Sequence, residues 1–125
     1  MIARQKAFTL VEIMIVVAIL GIIIAIALPT FFRSRELSRM RACQENQSKI
    51  DGAKENWALD TRAPATATPD WSDLVGASNF IRRTPVCPAS GTYVIGAVSA
   101  DPSCSLSNQA EFPHTFAISP PGGGT

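Results

Sequence analysis

Residues 8–32 read FTLVEIMIVVAILGIIIAIALPTFF, a nearly unbroken apolar run with one carboxylate, Glu12, near its start. A helix that spans a bilayer needs about 20 apolar residues, and this run is long enough if Glu12 can be accommodated. Two basic residues, Arg4 and Lys6, precede it. The pattern predicts one membrane-spanning helix in the first part of the chain.

A cleaved secretory signal is the alternative interpretation of this start. It would have an apolar segment of roughly 7–15 residues followed by a small-residue cleavage site. Ile13–Leu28 alone is longer than that, and residues 29–32 (PTFF) are a poor cleavage site. We therefore expect the helix to be retained.

Glu12 is the costly residue of the apolar run. A carboxylate inside hydrocarbon costs on the order of 2.5–3.5 kcal/mol on insertion scales. Either Glu12 lies shallow, near the lipid headgroups, or it gains a positively charged partner when the protein assembles. That partner has to come from outside the run, because residues 8–32 contain no Lys, Arg or His.

Gly21 and Pro29 weaken the helix at two points. Relative to alanine, glycine costs a helix about 1 kcal/mol and proline about 3 kcal/mol. Pro29 also removes the hydrogen bond to the carbonyl of Ala25, so we expect a kink or local melting there.

Residues 33–59 are predicted to continue the helix as an amphipathic half. Apolar residues recur at mostly three- or four-residue steps and form one stripe, while charged residues, Lys54 among them, occupy the other faces. The stripe consists of Leu37, Met40, Cys43, Ile50, Ala53 and Trp57. It has to pack on a downstream segment, and Cys43 is expected to be a buried, unreactive thiol.

Residues 60–125 are predicted to form a small globular head with a disordered C-terminal tail. A Pro/Ala/Thr linker at 60–70 leads to a short helical turn at 70–75, capped by Asp70 or Ser72. Trp57 and Trp71 are expected to be core or interface residues.

Two strands are predicted in the head, at Thr92–Val98 and Phe112–Ile118, and Pro120–Thr125 is expected to be a frayed tail. The fold class is therefore α+β. The long N-terminal helix packs its amphipathic half against a small antiparallel sheet.

Three cysteines are present, so in an exported chain at least one is unpaired or bonded to another molecule. Cys87 and Cys104 lie in one Pro/Gly/Ser-rich region, and a disulfide between them would contribute about 3 kcal/mol. No CxxC occurs and there is a single histidine, so we expect no metal site and no cofactor. His114 is expected to be structural, and the absence of a nucleophile–base–acid set argues against an enzyme.

The formal net charge is +1, which argues against a strongly basic nucleic-acid-binding face. Arg39 and Arg41 could touch DNA, but nothing else in the sequence supports that partner. Salt bridges between subunits are the simpler interpretation of the pair.

Residues 6–12 (KAFTLVE), followed at once by the apolar run and Pro29, resemble the N-terminal signature of type IV pilins and type II secretion pseudopilins. Residues 42–59 and the segment CPASGTYVIG, from Cys87 to Gly96, also resemble short members of this group.

This resemblance implies that residues 1–7 are a leader, cut between Ala7 and Phe8 by a prepilin peptidase. Phe8 would become the N-methylated N-terminus. Glu12 would pair with the free amine of Phe8 on a neighbouring subunit, and Gly21 and Pro29 would mark where the helix loosens inside a filament. Residues 8–32 would then serve as both membrane anchor and polymerisation helix.

The resemblance also implies a homo-oligomeric helical filament built at the inner membrane by a pilus or secretion assembly machinery. Before assembly the chain would cross the membrane once, with the head outside the cytoplasm. The expected function is a structural pilus subunit for adhesion, motility or DNA uptake. A pseudopilin of a periplasmic pseudopilus is the alternative, and an anchored protein that never polymerises is a third interpretation.

Three features depart from the family pattern. The residue before the cut is Ala7, where the family usually has glycine. Four arginines between residues 33 and 41 outnumber Arg4 and Lys6, which by the positive-inside rule favours the opposite orientation; the leader motif takes precedence, because its cut on the cytoplasmic side requires the N-terminus inside. Major pseudopilins typically hold calcium with clustered acids, whereas only Asp101 and Glu111 follow residue 86.

Overall fold

The computed structural model describes residues 6–116. Helix α1 spans Leu10–Thr61 and helix α2 spans Trp71–Leu74, followed by strands β1 (Tyr93–Val94) and β2 (Ser103–Cys104). The predicted α+β class, with a long N-terminal helix and a small antiparallel sheet, is confirmed. Most of the proposed leader, the last two residues of the second predicted strand and the C-terminal tail lie outside the described residues.

Helix α1 begins with a local capping arrangement at Thr9. The Thr9 hydroxyl accepts a hydrogen bond from the backbone N–H of Glu12 at 3.3 Å, and the Thr9 carbonyl accepts one from Ile13 at 3.3 Å. Thr9 therefore satisfies an N–H that the first helical turn would leave unpaired. The Glu12 carboxylate lies in that turn, where the helix dipole favours negative charge.

Helix α1 continues through Gly21 and Pro29 without a break. Of the two outcomes expected at Pro29, local melting is not seen in the single chain, and a kink stays a prediction. Proline removes one N–H donor, while the hydrogen bonds of the flanking turns remain and keep the helix intact.

The chain divides into two compact units, with the boundary between Arg35 and Glu36. In the first unit, every described residue from Lys6 to Arg35 is exposed. Its large apolar side chains are all exposed.

The second unit contains the core; it combines the half of α1 from Glu36 onward with the predicted head, and the whole unit is called the head below. Ile50 and Ala53 of α1 are buried with Leu74 of α2 and Ile95, and both tryptophans, Trp57 and Trp71, pack against this cluster. The predicted stripe is confirmed at Cys43, Ile50 and Ala53, which are buried, while Leu37 and Met40 are half-buried.

Lys54 was predicted on the polar face of the helix, and this prediction is wrong. Its side chain is fully buried, and its ammonium group donates hydrogen bonds to the carbonyls of Ala97 (3.1 Å) and Ala100 and lies 3.3 Å from an Asp51 oxygen. The helical pattern placed Lys54 in solvent, because periodicity along α1 contains no information about the carbonyls of a distant loop.

Helix α2 follows its sequence signals. Asp70 is the N-cap, and a capping box is complete: the Asp70 side chain accepts from the backbone of the first turn, and the Asp73 carboxylate accepts from the Asp70 N–H at 2.9 Å. The linker before it is held in place, because the carbonyls of Ala65 and Ala67 accept hydrogen bonds from Ser99 and Val98, both at 2.9 Å.

The sheet is shorter than predicted and uses a different second strand. Tyr93 pairs with Cys104 and Val94 with Ser103, in antiparallel register. The predicted strand Thr92–Val98 stops early, because Gly96 adopts a left-handed backbone conformation (φ +73°) and the chain then turns toward the linker.

The predicted strand at Phe112–Ile118 is wrong over its described residues, 112–116, which form no strand. Pro113 has no N–H to donate to a ladder. The next N–H, that of His114, bonds instead to the Leu106 carbonyl at 3.2 Å. The partner of β1 comes from residues 103–104, which lie between the two predicted strands.

Candidate functional site

The first candidate site surrounds the proposed cleavage position. Lys6, Ala7, Phe8 and Glu12 line one surface pocket, and the Phe8 side chain is 76% exposed. Thr9 caps the helix, which begins at Leu10, so the Ala7–Phe8 bond lies in exposed chain without regular secondary structure before the first helical turn. A peptide bond in that position is accessible to a protease.

The Glu12 carboxylate has no ion-pair partner in its own chain between residues 6 and 116. The ion pairs in that range are Glu36–Arg39 (2.9 Å), Glu45–Lys49 (2.8 Å) and Asp51–Lys54 (3.3 Å). Arg39, weighed above for DNA or subunit contacts, thus has a partner one helical turn away. Glu12 stands as an isolated anion on an exposed apolar surface, which is costly in lipid.

Gly21 has no packing partner that would require a glycine. A methyl group built at its Cα would meet no atom within 4 Å, and the residue adopts ordinary helical geometry. A glycine that the single chain does not need, in the centre of an exposed apolar surface, allows close approach by another helix.

The second candidate site lies inside the head, where four buried side chains converge. They are Cys43, Cys87, Cys104 and His114, and their sulfur and nitrogen donor atoms all lie within 4.8 Å of one another. The three cysteines are free thiols, and the Cys87 sulfur lies 3.5 Å from Nδ1 of His114. Each residue comes from a different segment: α1, the turn after Val86, β2 and the chain beyond β2.

Hydrogen-bond donors surround these sulfurs. Gln47, buried one turn after Cys43, donates from Nε2 to the Cys43 sulfur at 3.4 Å and to the His114 carbonyl at 2.7 Å. Tyr93 packs against the three cysteines, and its hydroxyl accepts a hydrogen bond from the Asn46 amide at 3.2 Å.

The environment acts differently on the individual thiols. Burial raises the pKa of Cys43 to about 12, and the hydrogen bonds from Tyr93 and Gln47 only partly oppose it. The pKa of Cys87 is lowered: burial acts to raise it, but the backbone N–H groups of Ala89 and Gly91, with the other two thiols, outweigh burial. Burial also raises the pKa of Tyr93 above its usual range.

Sequence reasoning anticipated only part of this cluster. It paired Cys87 with Cys104, which the structure brings together, but the disulfide itself stays a prediction. The burial of Cys43 is confirmed, while its lack of reactivity stays a prediction. The lack of a CxxC and the single histidine argued against a metal site, whereas the structure gathers four donors that no short motif contains. The usable signal was that all three cysteines and the single histidine follow the apolar run.

Comparison with known proteins supports the resemblance inferred from the N-terminal signature. Residues 2–28 match the family described as "Prokaryotic N-terminal methylation motif". No solved structure matches the chain.

Several curated relatives are similar over most of this chain. It is 29% identical to the type IV major pilin protein PilA of Myxococcus xanthus, over 88% of this chain and 44% of that protein. It is 28% identical to the type II secretion system core protein G of Klebsiella pneumoniae, over 72% and 73%. It is 38% identical to the type IV major fimbrial protein FimA of Dichelobacter nodosus, over 59% and 48%.

The chain thus spans about half the length of the two pilus relatives and almost three quarters of the secretion relative. The similarity to pilins and pseudopilins predicted from the sequence is confirmed. Between residues 6 and 116, one helix, α1, is long and apolar enough to cross a membrane.

Proposed function

We propose that this chain, which carries a prokaryotic N-terminal methylation motif and is similar to type IV pilins and pseudopilins, is a structural subunit of a type IV pilus filament. It polymerises through the apolar half of α1. The observation that carries the proposal is that this half is exposed along its whole length while the head buries its own core. An apolar surface of that size needs lipid or other subunits to cover it.

Processing makes the helix competent to assemble. A prepilin peptidase removes residues 1–7 on the cytoplasmic side of the inner membrane, and Phe8 becomes a methylated N-terminal amine. The exposed position of the Ala7–Phe8 bond before the first helical turn supports this cut. The chain crosses the membrane once, with its head outside the cytoplasm, until the assembly machinery adds it to a filament.

Glu12 sets the register between neighbouring subunits. Its carboxylate lacks a cation among residues 6–116 of its own chain, and the amine of Phe8 on a neighbour supplies one after cleavage. In a low-dielectric filament core this ion pair is stronger than in water, and an unpaired carboxylate there would be costly. Gly21 and Pro29 then give the helix the freedom to pack closely, and to bend, between its neighbours.

The decisive experiment replaces Glu12 with alanine in the full chain. We expect normal membrane insertion, since a charge leaves the apolar helix, and at least a tenfold loss of filaments sheared from the cell surface. Glu45→Ala is the matched control, because Glu45 is an exposed acid of the same helix whose partner, Lys49, lies in its own chain. Unchanged filament yield in Glu12→Ala, or equal loss in both variants, would contradict the proposal.

The pseudopilin function is the second candidate. The similarity to the type II secretion system core protein G, which covers 73% of that relative, favours it. A pseudopilin stays in the periplasm and drives export, so deletion of the gene would retain secreted proteins in the periplasm and leave surface filaments unchanged. Deletion of a pilus subunit would remove surface filaments and leave protein export unchanged. Deletion of an anchored protein that never polymerises would change neither filaments nor export.

A further inference from the structure

We propose that Cys43, Cys87, Cys104 and His114 form a structural zinc site in the head, with three thiolates and Nδ1 of His114 as ligands. The site goes beyond the proposed function, because it concerns how the head folds and not how the helix polymerises. It rests on four donors from four separate segments, all buried and mutually close.

The geometry fits a tetrahedral ion. Zn–S bonds of about 2.3 Å and Zn–N bonds of about 2.0–2.1 Å require sulfur–sulfur edges of about 3.8 Å and sulfur–nitrogen edges of about 3.6 Å. The edge from the Cys87 sulfur to Nδ1 of His114 is 3.5 Å, and no edge of the cluster exceeds 4.8 Å. Side-chain shifts of about 1 Å or less would bring the donors to bonding distance.

The chemistry of the donors favours zinc over calcium and magnesium. Thiolate and imidazole are the ligands of structural zinc sites, whereas calcium and magnesium take oxygen ligands. All four residues are at most 3% exposed. Four protein ligands and no opening to solvent describe a closed, structural site, not a catalytic one with a position left for water.

The surroundings orient the ligands as in metal sites, where outer hydrogen bonds stabilise thiolates and fix side-chain positions. Gln47 bonds to both the Cys43 sulfur and the His114 carbonyl, and so joins two ligand segments.

Gly91 provides space for the third sulfur. A methyl group at its Cα would lie 2.6 Å from the Cys104 sulfur. The turn after Cys87 therefore approaches β2 as closely as a glycine permits, which brings the Cys87 and Cys104 sulfurs into one cluster.

A metal would supply constraint that this head otherwise lacks. Its sheet has two-residue strands and its main core cluster has four buried residues. Small domains of this kind commonly need a metal, a disulfide or a partner. Zinc would join α1, the turn at Cys87, β2 and the segment of His114 at one point, and its binding energy would become folding energy.

A Cys87–Cys104 disulfide is the competing outcome, since exported proteins commonly contain disulfides. It would use two of the four groups and give Cys43 and His114 no role in linking the head. These two residues therefore separate the alternatives: zinc binding depends on both, and the disulfide depends on neither.

The test measures zinc in the full chain, purified from membranes in detergent without chelator or added metal. We expect about one zinc per chain by plasma mass spectrometry, released when a mercurial reagent titrates the thiols. Cys43→Ser and His114→Ala should each lower the content at least fivefold. The control variants Asp101→Asn and Glu111→Gln, which alter the exposed acids of the same region, should retain it.

A second variant and a second measurement separate metal binding from misfolding. His114→Cys offers a fourth thiolate and should restore the zinc that His114→Ala loses. Cobalt added to metal-depleted wild-type protein should give thiolate-to-cobalt charge-transfer bands and the visible bands of tetrahedral coordination.

Three results would overturn the site. One is a wild-type chain without zinc whose intact mass is lower by two hydrogens, which indicates the disulfide. Another is zinc content that is the same in wild type and in both ligand variants, which indicates adventitious metal. The third is a cobalt spectrum without thiolate bands. Metal content is measured whether or not filaments form, so failure here is distinct from failure of the filament proposal.

Discussion

The two halves of α1 invert the usual relation between polarity and burial. In the first half the isoleucines are exposed, Ile19 at 52% and Ile22 at 64%, although they are among the most apolar residues of the chain. In the second half Gln47 and Lys54 are fully buried. The apolar side chains of the first half are exposed, so lipid or another subunit has to cover them. The polar side chains of the second half are buried against partners in their own head.

The charged residues of the two halves show the same contrast. Glu12 has no ion-pair partner within residues 6–116, while Lys54 meets two carbonyls and a carboxylate of its own head. We propose that Glu12 gains its partner from a neighbouring subunit, whereas Lys54 is paired within its own head.

The largest expected change in the free energy of unfolding comes from replacing an isoleucine of the second half of α1. Ile50→Ala should lower the free energy of unfolding of the head by about 2–5 kcal/mol, because it leaves a cavity in the core. Ile19→Ala should change it by no more than about 0.5 kcal/mol, since Ile19 is exposed and lies in the other unit. Denaturant unfolding in detergent, followed by fluorescence of Trp57 and Trp71, measures both variants. Equal losses of unfolding free energy in the two variants would contradict the contrast between buried Ile50 and exposed Ile19.

The charge contrast predicts a smaller loss. Lys54→Met should lower head stability by about 1–3 kcal/mol, because two carbonyls lose their donor and water reaches these half-exposed groups only in part. Glu12→Gln should leave the same unfolding curve unchanged. Lys49→Met is the control within the head, since Lys49 and Glu45 form a solvent-exposed pair, and such pairs contribute little to stability. A Lys54 variant as stable as the Lys49 variant would contradict the structural role of the buried ammonium.

The smallest changes in stability are expected at two glycines, one in each of the two compact units. Gly91→Ala should lower head stability by about 1–2 kcal/mol, because the new methyl group meets the Cys104 sulfur. Gly21→Ala meets nothing within 4 Å and should favour the helix by about 0.5–1 kcal/mol. Thermal unfolding monitored by circular dichroism compares them, and a loss in Gly21→Ala would show a contact that the single chain does not contain.

Local sequence signals predicted the elements whose causes lie within a few residues. The apolar run and the stripe through Cys43, Ile50 and Ala53 repeat with the period of a helix, so they predicted α1. Asp70 predicted the start of α2, because an N-cap bonds to its own first turn.

The sheet was only half predicted, and the reason is physical. β-branched residues indicated the region of β1, but its end depends on Gly96 and its partner on residues 103–104, which have no strand pattern. Phe112–Phe116 has a strand-like composition. Pro113 and the bond from His114 to Leu106 instead hold it as irregular chain.

The sequence by itself determined the apolar run with its lone Glu12, the methylation motif and the amphipathic continuation of the helix. Each depends on neighbours within a turn or on composition, and so can be read along the chain. Only the tertiary structure decided that Lys54 is buried and that Cys43 meets Cys87, Cys104 and His114. Those contacts join segments far apart in sequence, and their geometry exists only after the core has packed.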